Sequence, residues 1–251
     1  MHWVIQKEIF RTVNYNLLID ALVRMSVPHT AISIPPGARG LEPEINPKGK
    51  VYVCGALKLA EISRARGWSP GHFFNGQFRF DKWEERLGNE LLNHGAQVCK
   101  LKDVSLTERG SCFIRPLEDS KAFDGRVYNR AGLNTFLKAS AGTHVRDMTV
   151  VVAQCKEIYQ ESRVFIVKGE IVTGSVYKVG GKPHLSSLLN DDVIEYVQKI
   201  MEIWLPFESC VIDIALTGEG LKVIEFNNIN SSGFYAVDVP KYVEAIEVAY
   251  G

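Results

Sequence analysis

The clearest structural signal in the sequence lies at residues 210–230, which read CVIDIALTGEGLKVIEFNNIN. Two apolar segments flank a Gly-Glu-Gly turn, a pattern that predicts two strands joined as an antiparallel β-hairpin. Asp213 lies on the first predicted strand, and Glu225 and Asn227 lie on the second. Side chains two residues apart on a strand project from the same face. Glu225 and Asn227 therefore share a face, and hairpin pairing can bring Asp213 beside them.

These three polar side chains form a candidate metal-binding set. Their neighbours on both strands are apolar, so we expect the strands to be buried, and burying two carboxylates without a cation is unfavourable. Asp213, Glu225 and Asn227 all offer oxygen ligands, which suit Mg²⁺, a metal that normally shares its shell with water and substrate phosphates. The alternative is one acidic residue on each strand that faces solvent, followed by an Asn-rich turn.

The composition is that of a soluble globular protein. The chain has 251 residues, of which 46% are hydrophobic and 23% charged, so it can build a sizeable core. Its 29 Lys and Arg balance 29 Asp and Glu, which argues against a general nucleic-acid surface. The longest apolar run, around residues 148–155, is too short to span a membrane, and no apolar signal region begins the chain. Five scattered cysteines indicate reduced thiols in a cytoplasmic protein.

The periodicity of the chain changes near residue 105. Before this point the predicted strands alternate with helices, one of them at residues 83–93, whereas strands dominate afterwards. The turn at residues 168–169 predicts a further antiparallel hairpin. This pattern predicts an α/β domain followed by two α+β lobes, with boundaries at 1–105, 106–154 and 155–251.

The 210–230 segment resembles the metal-binding hairpin of ATP-grasp enzymes. In that superfamily an Asp on one strand and a Glu-x-Asn on the next hold two Mg²⁺ ions against the ATP phosphates. Asp213, Glu225 and Asn227 match this pattern one for one. The resemblance implies that ATP and two Mg²⁺ ions are the cofactors, with Mn²⁺ as an alternative metal.

Three further segments are similar to ATP-grasp motifs and occur in the family's order. FIRP at 113–116 implies that Arg115 reaches the ATP phosphates, and LEDSKAFDG at 117–125 looks like the mobile phosphate-covering loop, with Lys121 as its cation. VVVAQCKEIYQESRVFIV at 150–167 looks like the hinge between the lobes. The resemblance assigns the ribose hydroxyls to Glu161. It assigns the adenine edge to the hinge residues Gln154, Lys156, Glu157 and Ile158.

One departure from the common pattern points to a particular clade. The strand GEIVTGSVYK at 169–178 ends in Lys178, where many members carry Arg. This resembles the ATP-grasp clade named for its arginine-to-lysine replacement, common in phages and bacteria, and RGWSPGHFFN at 66–75 also looks like that clade. Lys cannot grip phosphate bidentately as Arg does. Arg163 shares a predicted strand face with Glu161, and it is either a structural ion pair or a phosphate or substrate ligand.

The resemblance implies an α+β ATP-grasp fold, in which an α/β pre-ATP-grasp domain precedes two lobes whose antiparallel sheets grip the nucleotide. It also implies an ADP-forming ligase that activates a carboxylate as an acyl phosphate and joins it to an amine on a small molecule, peptide or protein. The alternatives are an ATP-dependent phosphotransferase and a non-catalytic nucleotide-binding module. We expect a cytoplasmic protein, in the host cytoplasm if it is phage-encoded, with neither membrane nor nucleic acid as a partner. The implied catalytic residues are Arg115, Lys121, Arg163 and Lys178.

Overall fold

The computed structural model describes residues 1–9, 12–38, 40–118 and 122–251. The strands in these ranges are β1 (His2–Gln6), β2 (His29–Ile32), β3 (Val51–Cys54), β4 (Pro70–Gly71), β5 (Gln97–Lys100), β6 (Ser111–Pro116), β7 (Arg126–Asn129), β8 (Thr149–Gln154), β9 (Gln160–Val167), β10 (Glu170–Val179), β11 (Lys182–Ser186), β12 (Cys210–Thr217) and β13 (Gly220–Asn227). The α-helices are α1 (Thr12–Arg24), α2 (Leu57–Ala65), α3 (Phe80–Leu87), α4 (Arg130–Ala139), α5 (Asp191–Ile203) and α6 (Val239–Tyr250).

The N-terminal sheet is parallel and has the strand order β2-β1-β3-β4. Adjacent parallel strands need crossover connections. Helices α1 and α2 lie in the connections that follow β1 and β3. Trp3, Val4 and Ile5 on the central strand β1 are completely buried. Such continuous burial is typical of a strand that is covered on both faces.

The second sheet is antiparallel and has the order β5-β8-β6-β7. Helix α4 packs on it through Leu133, which joins Ile114, Tyr128 and Val150 in one apolar cluster. The side chain of Asn129 accepts a hydrogen bond of 2.8 Å from the amide of Gly132 and so caps the start of α4.

The third sheet is also antiparallel and has the order β11-β10-β9-β12-β13. This sheet lies between helices α5 and α6, because successive side chains of β9 point to opposite faces of the sheet. Val164 and Ile166 pack in the cluster that contains α5 residues, whereas Phe165 and Val167 pack in the cluster that contains α6 residues. An uninterrupted apolar run is therefore required in β9, because both of its faces are covered.

The predicted fold class is confirmed, because a parallel N-terminal sheet precedes antiparallel sheets mixed with helices. The helix predicted at residues 83–93 is wrong in its bounds: it spans Phe80–Leu87. It ends there because Gly88 takes a φ of 48° and a ψ of −122°, a positive-φ conformation that glycine tolerates and that cannot continue an α-helix. The division at residues 105 and 155 stays a prediction; β5, which precedes residue 105, pairs with β8 of the second sheet.

Helices able to cross a membrane need both length and apolarity. None of the helices in the described ranges has both properties.

Candidate functional site

A cleft of about 300 Å³ lies between the second and third sheets. Its volume is at the lower end of the range typical of small-molecule sites. Strands β6, β8, β9, β10 and β13 all contribute to its walls. The lining residues that matter for the site are Phe113, Arg115, Gln154, Cys155, Lys156, Ile158, Glu161, Tyr177, Lys178, Ile224 and Glu225.

The hairpin β12–β13 brings the three predicted metal ligands together, and one of them, Glu225, lines this cleft. Asp213 stands directly opposite Glu225 in the register of the hairpin. The amide nitrogen of Asn227 donates to Oδ2 of Asp213 at 3.3 Å and to Oε1 of Glu225 at 3.1 Å. Asp213 and Asn227 are buried, and Glu225 lines the cleft.

Arg163 forms a buried two-point ion pair with Asp213. Its Nε donates to Oδ1 at 2.8 Å and its Nη2 to Oδ2 at 2.7 Å, while Nη1 donates to the carbonyl of Gly233 at 3.2 Å. Burial by itself lowers the pKa of Arg163, but the charge of Asp213 and its hydrogen bonds outweigh burial, so the pKa rises and the guanidinium stays charged. The ion pair expected as one alternative for Arg163 is present, and a role toward phosphate or substrate stays a prediction.

Arg115 forms a second pair on the opposite wall, at the end of β6. Its Nη1 lies 2.7 Å from Oε2 of Glu225, and only 7% of its side chain is exposed. The guanidinium also lies over the ring of Trp83, 5.0 Å from the centroid. A cation over an indole face is attracted by the ring quadrupole, so Trp83 and Glu225 together fix where Arg115 points.

A third pair joins Lys178 and Glu161 at the mouth of the cleft. Nζ of Lys178 donates to Oε1 of Glu161 at 2.8 Å, and the hydroxyl of Tyr177 donates to Oε2 at 2.7 Å. Glu161 is 13% exposed and Lys178 39% exposed. The predicted ribose carboxylate thus has a donor on each of its oxygens.

The predicted hinge forms one wall of the cleft. Gln154, Lys156 and Ile158 line it, but Glu157 is not among its described lining residues. The amide of Tyr159 donates to the carbonyl of Leu216 at 2.8 Å, which ties the end of this segment to the third sheet. Lys121, the predicted cation of the covering loop, lies outside the described residues.

Three aromatic residues of the site were not predicted from the sequence. Trp83 lies under Arg115. The rings of Tyr177 and Tyr235 stack with centroids 4.5 Å apart and an angle of 9° between planes, and Arg163 lies 4.8 Å from the Tyr235 centroid. The position of Tyr177 directly before Lys178 was an available signal; Trp83 and Tyr235 come near the site only through tertiary folding.

The sequence matches a family of ATP-grasp domains, the second family of the arginine-to-lysine clade, over residues 95–245. No curated protein matches the chain significantly.

Several solved structures share the fold. A RimK domain ATP-grasp protein from Sphaerobacter thermophilus aligns with a TM-score of 0.60 at 12% identity, covering 92% of each chain. D-alanine–D-alanine ligase from Bacillus anthracis, complexed with ATP, aligns with a TM-score of 0.63 at 12% identity, covering 99% of this chain and 92% of that one.

The ATP-grasp ligase PsnB, complexed with a minimal precursor, aligns with a TM-score of 0.59 at 12% identity, covering 99% of this chain and 98% of that one. Identities this low show a common fold. Because the family match spans more than half of the 251 residues, the chain belongs to the second family of the arginine-to-lysine clade of ATP-grasp domains.

Proposed function

We propose that this protein is an ATP- and Mg²⁺-dependent carboxylate–amine ligase that forms an amide or peptide-like bond and releases ADP. The acceptor is a small molecule, a peptide or a protein. The proposal assigns residues 1–105 to the substrate side, 106–154 to the first ATP-grasp lobe and 155–251 to the second.

The observation that carries the proposal is the charge arrangement of the cleft. Three cations each face a carboxylate that was predicted to bind metal or ribose, and two of these cations, Arg115 and Lys178, were predicted to bind phosphate. The pairs are Arg115 with Glu225, Arg163 with Asp213, and Lys178 with Glu161. A nucleoside triphosphate carries negative phosphates, neutral hydroxyls and bound cations, so it needs groups of both signs within one site.

The donor set fits Mg²⁺. Asp213, Glu225 and Asn227 would hold the ion through oxygen atoms, with Asn227 turning its amide oxygen inward. Among the described residues no three His, Cys, Asp or Glu side chains group closely enough to form a site by themselves, and Mg²⁺ normally completes its shell with water and substrate phosphates. When bound, ATP and Mg²⁺ would supply an activated γ-phosphoryl group for transfer to the substrate carboxylate as an acyl phosphate.

The chain's own residues would bind the adenine, the ribose and the phosphates of ATP according to their positions in the site. The backbone from Gln154 to Ile158 faces the adenine edge, and Glu161 receives the ribose hydroxyls. Arg115 pairs with the predicted metal ligand Glu225 and would neutralise charge on the transferring phosphoryl group. Lys121 is proposed as a second cation for the phosphates. Arg163 would hold Asp213 in place rather than touch phosphate.

An acyl phosphate can be trapped, and this tests the proposed function. The protein is incubated with ATP, Mg²⁺ and hydroxylamine against a panel of amino acids, short peptides and cell-extract fractions, while ADP and hydroxamate are measured. We expect ADP release and hydroxamate to rise together with the correct carboxylate. The Glu225→Gln variant should give neither product, whereas Glu219→Gln, on the exposed turn of the same hairpin, should give both.

Two outcomes contradict the ligase. A phosphorylated hydroxyl product that resists hydroxylamine favours a phosphotransferase on the same fold. Nucleotide binding without ADP release across the whole panel favours a non-catalytic nucleotide-binding module.

A further inference from the structure

A β-bulge directs two consecutive side chains of β10 to the same carboxylate. The register between β10 and β9 shifts between Val176 and Lys178, and the register between β10 and β11 shifts at the same place. Consecutive side chains of a regular strand point to opposite faces. The extra residue here lets both Tyr177 and Lys178 reach Glu161 and line the cleft, and re-aiming side chains beside a site is a common use of bulges.

Glu161 is held on both sides by this arrangement. The Tyr177 hydroxyl engages Oε2 at 2.7 Å and the Lys178 ammonium engages Oε1 at 2.8 Å. Lys178 also stands opposite Glu161 in the strand register. A carboxylate has about four acceptor positions on its two oxygens. Each oxygen of Glu161 accepts one hydrogen bond from the described residues, and these two bonds fix the plane in which the remaining positions lie.

The ring of Tyr177 is held in place by contacts with Tyr235 and Arg163. Its ring stacks on Tyr235, and the Arg163 guanidinium lies 5.8 Å from its centroid. Burial, followed by the charges of Asp213 and Glu161, raises the pKa of Tyr177, so its hydroxyl stays protonated and donates. The donor on Oε2 is therefore rigid.

We propose that Tyr177 and Lys178 are positioning residues that hold Glu161 in the orientation that receives the two vicinal hydroxyls of a ribose, and so set the selectivity for ribonucleotides over deoxyribonucleotides. The proposal rests on the proposed function, because it requires ATP in this cleft. It moves Lys178 from the phosphate end, where the sequence placed it, to the nucleoside end. A fixed carboxylate loses one hydrogen bond when one hydroxyl is missing, whereas a mobile carboxylate can turn to recover it.

Calorimetry with ATP, 2′-deoxy-ATP and 3′-deoxy-ATP at saturating Mg²⁺ tests this selectivity. We expect wild type to bind ATP about 10-fold more tightly than either analogue, which corresponds to one hydrogen bond to a charged group. Tyr177→Phe and Lys178→Met should each lower this ratio several-fold, mainly by weakening ATP binding. Lys178→Arg, which can still donate to Oε1, should restore most of the ratio.

Matched controls separate positioning from general effects. Lys182→Met removes a lysine from the neighbouring strand β11, and Tyr196→Phe removes a hydroxyl that bonds Glu90 outside the cleft; both should keep the wild-type ratio. Thermal unfolding shows whether Tyr177→Phe folds. If it does not, Lys178→Met, at a partly exposed residue, decides the question.

Three results, each distinguishable from the others, would overturn the proposal. Unchanged ratios in both variants mean that Glu161 needs no positioning. An equal loss of affinity for ATP and for both analogues in Lys178→Met places this lysine at the phosphates. Absence of any nucleotide binding by wild type removes the proposed function together with the inference.

Discussion

Arg163 and Asp213 stand directly opposite each other on the neighbouring strands β9 and β12, joined by two parallel hydrogen bonds of 2.8 and 2.7 Å. Glu225 continues the same row on β13. The side chains of Arg163 and Asp213 are 9% and 2% exposed, so each buried charge is stabilised by the other. The ion pair therefore belongs to the core of the third sheet as well as to the site.

Removal of the Arg163 charge should destabilise the protein strongly. Arg163→Met leaves Asp213 as a buried charge without this partner, and breaking a buried pair from one side costs about 3–5 kcal/mol. Arg163→Lys keeps the charge but loses the two-point geometry, so its effect should be smaller. Urea unfolding at pH 7 measures both variants.

A surface pair provides the control for this prediction. Arg130 lies 3.4 Å from Glu108, and both side chains are largely exposed, so Arg130→Met should change the free energy of unfolding by less than about 1 kcal/mol. An equally small change in Arg163→Met would contradict the role given to Arg163.

Replacement of Glu225 by Gln should separate metal-dependent nucleotide binding from folding. The variant keeps the shape of the side chain but loses its charge toward Arg115 and the metal. We expect Mg²⁺ to strengthen ATP binding to wild type and to give little or no such strengthening in Glu225→Gln. Calorimetry with and without Mg²⁺ gives this comparison, with Glu219→Gln as the matched variant. A Glu225→Gln protein with the full Mg²⁺ effect would remove this residue from the metal set.

The stability of the protein should depend on pH through His72. Its Nε2 donates to the carbonyl of Gly55 at 3.1 Å, and its Nδ1 accepts from the amide of Phe74 at 3.1 Å. Burial lowers the pKa of His72 from 6.5 to about 4. The unfolded chain therefore takes up a proton as the pH falls below 6.5 while the folded protein does not, so His72's contribution is complete above pH 6.5 and is lost toward pH 4.

Denaturation at two pH values measures this contribution. Between pH 7 and pH 5 the free energy of unfolding of wild type should fall by about 2 kcal/mol more than that of His72→Gln. His184→Gln removes an exposed histidine on β11 and should behave like wild type. Parallel pH dependence in wild type and His72→Gln would show that His72 is protonated as readily in the folded state as in the unfolded chain.

The hairpin was predictable because local rules determine it. The Gly-Glu-Gly turn and the two flanking apolar runs predicted the two strands that the structure shows as β12 and β13. Continued without interruption, the register set by the turn would pair Asp213 with Ile224. A register shift between Asp213 and Ile214 brings Asp213 opposite Glu225 instead, and the turn chemistry does not predict this shift. The turn at residues 168–169 likewise predicted the hairpin of β9 and β10, whereas the role of Glu161 was implied by the family resemblance.

Other parts of the site depend on contacts between distant segments. Trp83 reaches Arg115 only because α3 packs near the end of β6, and nothing in the sequence pattern of residues 80–87 signals this contact. The bulge at Tyr177 is a second case, because the period-2 rule places consecutive side chains on opposite faces and gives no sign of the exception. The ion pair between Arg163 and Asp213 likewise depends on the strand order of the third sheet, which places β9 beside β12.

A crystal structure with a non-hydrolysable ATP analogue and Mg²⁺ would show whether nucleotide and metal bind together in this cleft. We predict adenine against the backbone of Gln154–Ile158, ribose hydroxyls on Glu161, and Mg²⁺ bound by Asp213, Glu225 and Asn227 beside the phosphates. A nucleotide bound outside this cleft, or phosphates whose Mg²⁺ has none of these three residues as a ligand, would contradict the account.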